Sequence, residues 1–268
     1  MDGPPICTRH EVWDKDVWRY IQSHYVQAYN PIDEYLDTLP AWDGHDHVAL
    51  LASTLHTHNP HWKEDFHTWM LGMMSQWMGN NRRHPVSMTP MLISPQGTGK
   101  STFCRNLLPP ELRPYYVEHL DFLNKENAER ALSRFCLINL DEFDKITERQ
   151  MTFLKYIQTL RESQTRQMYT TSVEVRNRYA AFIATTNSLI PLRDDSGSRR
   201  YLCIALSRID QDFHPDYAQL YAQLKTEVQR GDKVYFSAEE EQRIQEANKE
   251  FQYVDEVREL FMLKSYDS

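Results

Sequence analysis

The 268-residue sequence predicts an α/β domain with a largely parallel sheet, flanked by helical regions on both sides. Three observations predict it. Short apolar runs alternate with helical segments through the middle of the chain, the pattern of strands joined by crossover helices. The stretch SPQGTGKST, Ser94 to Thr102, lies between one such run and one such helix. A second apolar run, Phe135 to Leu140, ends in the paired acids Asp141-Glu142.

Residues 1–85 read as helical, without an internal repeat. Asn30-Pro31 supplies an N-cap followed by proline at the first helical position. Pro40 closes that short helix, and Trp42-Asp43-Gly44 is a turn. Phe66, Trp69, Met70, Met73, Met74 and Trp77 recur at three- and four-residue spacing, which predicts a helix with one face in the core; Gly79-Asn80-Asn81 ends it. His45, His47, His56, His58, His61 and His67 cluster in the same region. No pair completes a zinc or metallohydrolase spacing, so they are read as surface or helix-packing residues.

Residues 86–208 carry the alternation. The runs are Met91–Ile93, Tyr115–Val117, Phe135–Leu140, Ala180–Thr185 and Tyr201–Leu206. Helices are expected at Gly99–Leu107, Lys125–Arg134 and Glu148–Arg161, the last opened by a capping box from Thr147 to Gln150. Residues 209–268 return to helix: Pro215 starts one, Gly231 lies beyond its end, and Ser237 to Glu240 is a second capping box. No low-complexity linker separates the three regions.

Hydrophobic residues make up 41% and charged residues 25%, as in soluble globular proteins. No apolar run approaches the roughly 18 residues of a membrane span, and the N-terminus lacks the basic start and apolar stretch of a signal peptide. The four cysteines, Cys7, Cys104, Cys136 and Cys203, are isolated, so a reducing cytoplasmic setting is expected. The net charge of −8 argues against a generally basic nucleic-acid binder. Yet residues 161–200 hold seven arginines against four acids, whereas 209–268 hold seven basic residues against fourteen acids. A basic segment in an acidic chain predicts a confined anion-binding surface.

SPQGTGKST has the context and the tail of a phosphate-binding loop. Glycines let backbone N–H groups turn toward phosphates, and the following helix adds its positive N-terminal end. Gln96, Gly97, Thr98, Gly99, Lys100, Ser101 and Thr102 are the expected phosphate contacts. Lys100 would reach the β- and γ-phosphates of ATP, and Ser101 would place its hydroxyl on Mg²⁺. Ser94 departs from the pattern, which wants a glycine there; either the loop turns differently at Ser94 or it does not need positive φ. The acids Asp141 and Glu142 at a buried strand end form a Walker B arrangement: Asp141 for Mg²⁺, Glu142 for the attacking water. Ala181 to Asn187 is a third strand ending in polar residues, where Asn187 can bridge the γ-phosphate and that water. Arg199 and Arg200, just before the last strand, are finger candidates that enter a neighbour's site.

This ordered set, with Asn30-Pro31-Ile32-Asp33-Glu34-Tyr35-Leu36 and Trp42-Asp43-Gly44 upstream, resembles the virulence-associated protein E family. That family's core is similar to superfamily 3 helicases within the AAA+ ATPases. The resemblance implies a sheet order of 5-1-4-3-2 and a homo-oligomeric ring, a hexamer, with sites at subunit interfaces. It also implies a role in replicating phage or other mobile-element DNA in a bacterial or phage-encoded setting, with a primase in cis or in trans as a further partner. It assigns Lys100 and Ser101 to the phosphate loop, Asp141 and Glu142 to Walker B, Asn187 to sensor 1, and Arg199 or Arg200 to the finger.

Such motors present a β-hairpin between Walker B and sensor 1 to DNA in the ring channel. Here that interval is 165–179, where Ser172 to Arg178 alternates like a strand. Arg166, Arg176 and Arg178 are expected on phosphates of single-stranded or forked DNA, and Tyr169 or Tyr179 on a base. The leading expectation is therefore an ATP-driven DNA helicase or translocase. A DNA- or partner-binding switch without unwinding, and a small-molecule phosphotransferase, remain as alternatives.

Overall fold

The computed structural model describes residues 13–21, 23, 25–26, 29–80, 86–166, 173–193 and 199–253. The chain divides into two compact units, 1–31 and 32–268. In the first, a short helix α1 (Asp14–Ile21) carries no buried residue.

Six strands form one sheet: β1 (Leu55–Thr57), β2 (Thr89–Ile93), β3 (Tyr116–Val117), β4 (Leu137–Leu140), β7 (Ala181–Thr186) and β8 (Tyr201–Ile209). A separate two-stranded ribbon pairs β5 (Glu162–Arg166) with β6 (Val173–Asn177). The sheet order is β1-β8-β2-β7-β4-β3. All neighbours are parallel except β1, which runs antiparallel to β8. The expectation of an all-helical N-terminal region is corrected here, because Leu55–Thr57 adds an edge strand to the sheet.

Helices cover both faces, which explains the continuous apolar runs of β2, β4 and β7. Side chains alternate between two cores. Leu92, Leu137, Ile183 and Ile204 point into one core, with α3 (His47–Ser53), α4 (Trp62–Trp77), α5 (Lys100–Asn106) and α8 (Tyr217–Arg230). Met91, Ile93, Ile138, Leu140, Phe182 and Cys203 point into the other, with α6 (Lys125–Arg134) and α7 (Glu148–Thr159). The aromatic and methionine stripe of α4 is buried as expected, Phe66, Met70, Met73 and Met74 completely.

The flanking helical regions share the sheet's core. In α2 (Pro31–Asp37), Ile32 and Leu36 are buried. The buried Gln223 of α8 accepts from the backbone of His47 and Val48 at 2.8 and 3.1 Å and donates to Asp46, the N-cap of α3, at 3.0 Å. Arg243, on α9 (Ala238–Ala247), clamps the buried carboxylate of Asp65 on α4 at 2.5 and 3.1 Å. Both expected capping boxes, at Thr147–Gln150 and Ser237–Glu240, are present. Several histidines pair with acids: His47 with Asp43, His56 with Asp210 and His67 with Glu227. No described helix is long and apolar enough to cross a membrane.

Candidate active site

The C-terminal ends of three adjacent parallel strands, β2, β7 and β4, deliver the loop after Ile93, Asn187 after Thr186, and Asp141 after Leu140. In parallel α/β sheets this edge is where ligands bind, because the loops there splay outward from a rigid base.

The loop from Ser94 to Gly99 enters α5 with left-handed backbone at Gly97 (φ 83°) and Gly99 (φ 92°). Ser94 is not in that region, so no glycine is needed there. It is buried, and its hydroxyl meets Thr98 Oγ1 at 2.6 Å, which in turn donates to the Pro95 carbonyl at 3.1 Å. A cross-loop hydrogen bond thus stands where the usual pattern has a flexible residue. From outside, Gln211 donates to the Thr98 carbonyl at 3.3 Å. A Cβ on Gly99 would fall 2.9 Å from that amide nitrogen, which the flexible Gln211 side chain could relieve by moving, so it is the left-handed φ that favours glycine at 99. Gln96 and Gly97 stand exposed at the crest of the loop, and Thr98 and Gly99 are half-buried.

Lys100 is buried and folds back over the loop. Its ammonium donates to the carbonyls of Ser94 (2.6 Å) and Pro95 (3.0 Å) and to Asn187 Oδ1 (3.0 Å). Burial holds its pKa below the usual lysine value, against the opposing pull of Asp141. Ser101 Oγ donates to Asp141 Oδ1 at 3.3 Å, and Thr185 Oγ1 donates to the same carboxylate oxygen. The neighbouring Thr102 is exposed on α5. Glu142 is exposed, left-handed (φ 52°), and paired with Lys145 at 2.6 Å. Beside Asp141 and Glu142 opens a cleft also lined by Glu118, His119, Phe122 and Lys145.

The virulence-associated protein E-like domain matches residues 36–253, which contain all of these groups. The chain belongs to the virulence-associated protein E-like domain family. No curated protein matches it. Among solved structures, the apo structure of NrS-1 C terminal region (305-718) is similar in fold, with a TM-score of 0.50 at 15% identity over 83% of this chain and 55% of that one. The A form apo structure of the same region gives 0.48 at 15% identity, over 83% and 55%. The chain spans about half the length of these solved structures.

Elsewhere in this virulence-associated protein E-like domain, the interval between Asp141 and Asn187 does hold an antiparallel ribbon. Glu162 pairs with Asn177 at its base and Arg166 with Val173 toward its tip. Tyr169, in the connection, lies outside the described residues, as does Gly197-Ser198 before the finger candidates. Arg176 is exposed on β6.

Arg178 does not join it, and the expectation that it contacts DNA is corrected. It is completely buried at the base of the ribbon. Its guanidinium donates to the carbonyls of Gln158 (2.7 Å), Leu160 (2.9 Å), Ala180 (2.9 Å) and Val86 (3.0 Å). It stacks 5.3 Å from the Phe182 ring centroid. Burial lowers its pKa to about 9. Four of its five N–H donors are spent on carbonyls and the group is shut off from solvent, so it has no face to offer a phosphate. Arg199 is exposed and Arg200 half-buried, just before β8.

Sequence reasoning missed Asp144 and Gln211, and it placed Thr185 and Thr186 at the polar end of a strand without giving either its partner. The polar pair Thr185-Thr186 ending an apolar strand was the available signal. Gln211 sits in a loop with no motif of its own.

Proposed function

We propose that the chain is the ATPase core of a ring-forming DNA motor that serves replication of phage or mobile-element DNA. One observation carries the reading: Lys100, Ser101, Asp141 and Asn187, far apart in sequence, converge at adjacent strand ends. The AAA+ assignment is supported by the parallel strands, which numbered in chain order run 5-1-4-3-2.

Ser101 and Asp141 offer hard oxygen donors side by side, the chemistry that suits Mg²⁺. Mg²⁺, when bound, would neutralise charge on the β- and γ-phosphates of ATP. The left-handed turns at Gly97 and Gly99 would let backbone N–H groups of the loop face those phosphates. Lys100 would exchange the Ser94 and Pro95 carbonyls for phosphate oxygens. Glu142 would take a proton from, or orient, the attacking water, and Asn187 would hold that water against the γ-phosphate. Arg199 or Arg200 of a neighbouring copy would meet the charge that develops in the transition state, a contribution of roughly 10³–10⁵ in rate where fingers have been measured. The ribbon, with Arg166, Tyr169 and Arg176, would face DNA at the ring axis, where identical subunits gather their arginines against phosphates.

Strand displacement on forked DNA tests the motor. Displacement by the wild-type chain, lost in Lys100→Ala and Glu142→Gln, is the expected result. ATP hydrolysis that ignores single-stranded DNA, with no displacement, would refute the motor and favour an ATP-dependent binding switch.

A further inference from the structure

Three consecutive residues at the C-terminal end of β7 each hold a different part of the site. Thr185 Oγ1 donates to Asp141 Oδ1, and Asn187 Oδ1 accepts from Lys100. Between them, on the opposite face of the strand, Thr186 Oγ1 donates to Asp144 Oδ1 at 2.6 Å. Thr186 is buried at 2% exposure, so the strand rather than solvent sets where its hydroxyl points. That hydroxyl also accepts from Ser188 N at 3.0 Å.

Asp144 lies two residues after Glu142, in the tight turn Phe143–Lys145. It is tied at two points: its carboxylate to Thr186, and its carbonyl to Arg193 Nη2 at 3.3 Å. The turn is further fixed by Phe143, which packs edge-on to Tyr201 with ring centroids 4.9 Å apart. Glu142 needs such support. It is the one non-glycine residue with positive φ among the described residues, a conformation that L side chains adopt at a cost. Its ion pair with Lys145 is solvent-exposed on both sides, and exposed pairs contribute little. The half-buried Thr186–Asp144 hydrogen bond is the stronger tether.

We propose that Thr186 and Asp144 are positioning residues that hold Glu142 in its left-handed conformation and register it to the strand bearing Asn187. Neither residue touches nucleotide; they act through the turn. The water-activating carboxylate and the water-holding amide are then fixed by one strand end. The inference rests on the ATPase reading of the site.

The test is steady-state ATP hydrolysis by Thr186→Val, Thr186→Ser and Asp144→Ala, with affinity measured separately by titration of a fluorescent ATP analogue. Misplacing a catalytic group by about 1 Å costs on the order of 10²-fold, so Thr186→Val and Asp144→Ala should lose at least about tenfold in kcat. Their KM and analogue affinity should stay within about twofold of wild type, the signature of an interaction that serves the transition state alone. Thr186→Ser, which keeps the hydroxyl, should restore kcat. Wild-type kcat in Thr186→Val would overturn the inference, as would equal losses in Thr186→Ser and Thr186→Val, or loss of analogue binding in both Thr186→Val and Asp144→Ala. No hydrolysis by the wild-type chain would instead overturn the ATPase reading itself.

Discussion

Replacing Arg178 separates a structural role from a DNA-contacting one. Arg178→Ala removes a guanidinium that donates four hydrogen bonds to main-chain carbonyls from three segments: the approach to β2, the end of α7, and the residue just before β7. Each buried acceptor left without a donor costs about 1–3 kcal/mol. The four losses do not simply add, because the Ala180 carbonyl keeps the Gln76 amide at 2.7 Å and water entering the space left behind can serve others. A net loss of about 3–5 kcal/mol follows, at the upper end of single-substitution effects. For a unit of this size, about 2–4 °C in midpoint accompanies each kcal/mol, so thermal unfolding should fall by roughly 6–20 °C. Arg178→Lys keeps the charge but not the planar fork, and should lie between the two. Unfolding followed by circular dichroism measures this directly. If Arg178→Ala unfolded within about 2 °C of wild type, less than the shift of a single kcal/mol, the burial argument would be wrong. Unchanged stability with weakened DNA binding would restore the phosphate contact rejected above.

Other expectations follow from the same geometry. Ser94→Gly should keep ATP hydrolysis, because no positive φ is required at that position. It removes the cross-loop bond to Thr98, worth about 0.5–1.5 kcal/mol, so KM for ATP should rise by about two- to tenfold with kcat retained; a large fall in kcat would assign Ser94 a different role. Stability should also depend on pH through His67. Burial alone would lower its pKa, but the Glu227 carboxylate at 2.6 Å, with Asp46 and Asp232, raises it above the usual histidine value. A raised folded-state pKa stabilises fully below the unfolded value of about 6.5 and loses that contribution as pH rises through the folded value. The difference in midpoint between wild type and His67→Gln should therefore shrink from about pH 6 to alkaline pH, and a difference that grew with pH would contradict the pairing.

The parts of the site that were legible in sequence are those whose chemistry is local. Gly97, Gly99, Lys100 and Ser101 act through consecutive backbone geometry, and Asp141-Glu142 through position at the end of an apolar run. Both capping boxes likewise close within four residues. What escaped depends on contacts distant in sequence. Asp144 gains its meaning from Thr186, and Gln211 from Thr98. Arg178 read as a strand arginine facing DNA phosphates. Its burial is decided by carbonyls at 86, 158 and 160, which no window around it contains. Strand β1 is three residues in a histidine-rich stretch, too short for any alternation to register, and exists because β8 offers it an edge. Ser94 looked like a defect because the glycine rule was applied to a position whose φ is ordinary.

The measurement that bears most directly on the account is phosphate release from ATP by the wild-type chain, Lys100→Ala and Glu142→Gln, with Mg²⁺, in parallel with nucleotide binding. The site described here predicts hydrolysis by wild type alone. Lys100→Ala should lose binding and turnover together, and Glu142→Gln should lose turnover while still binding ATP. Hydrolysis undiminished in both variants, or a wild-type chain that neither binds nor hydrolyses ATP, would contradict it.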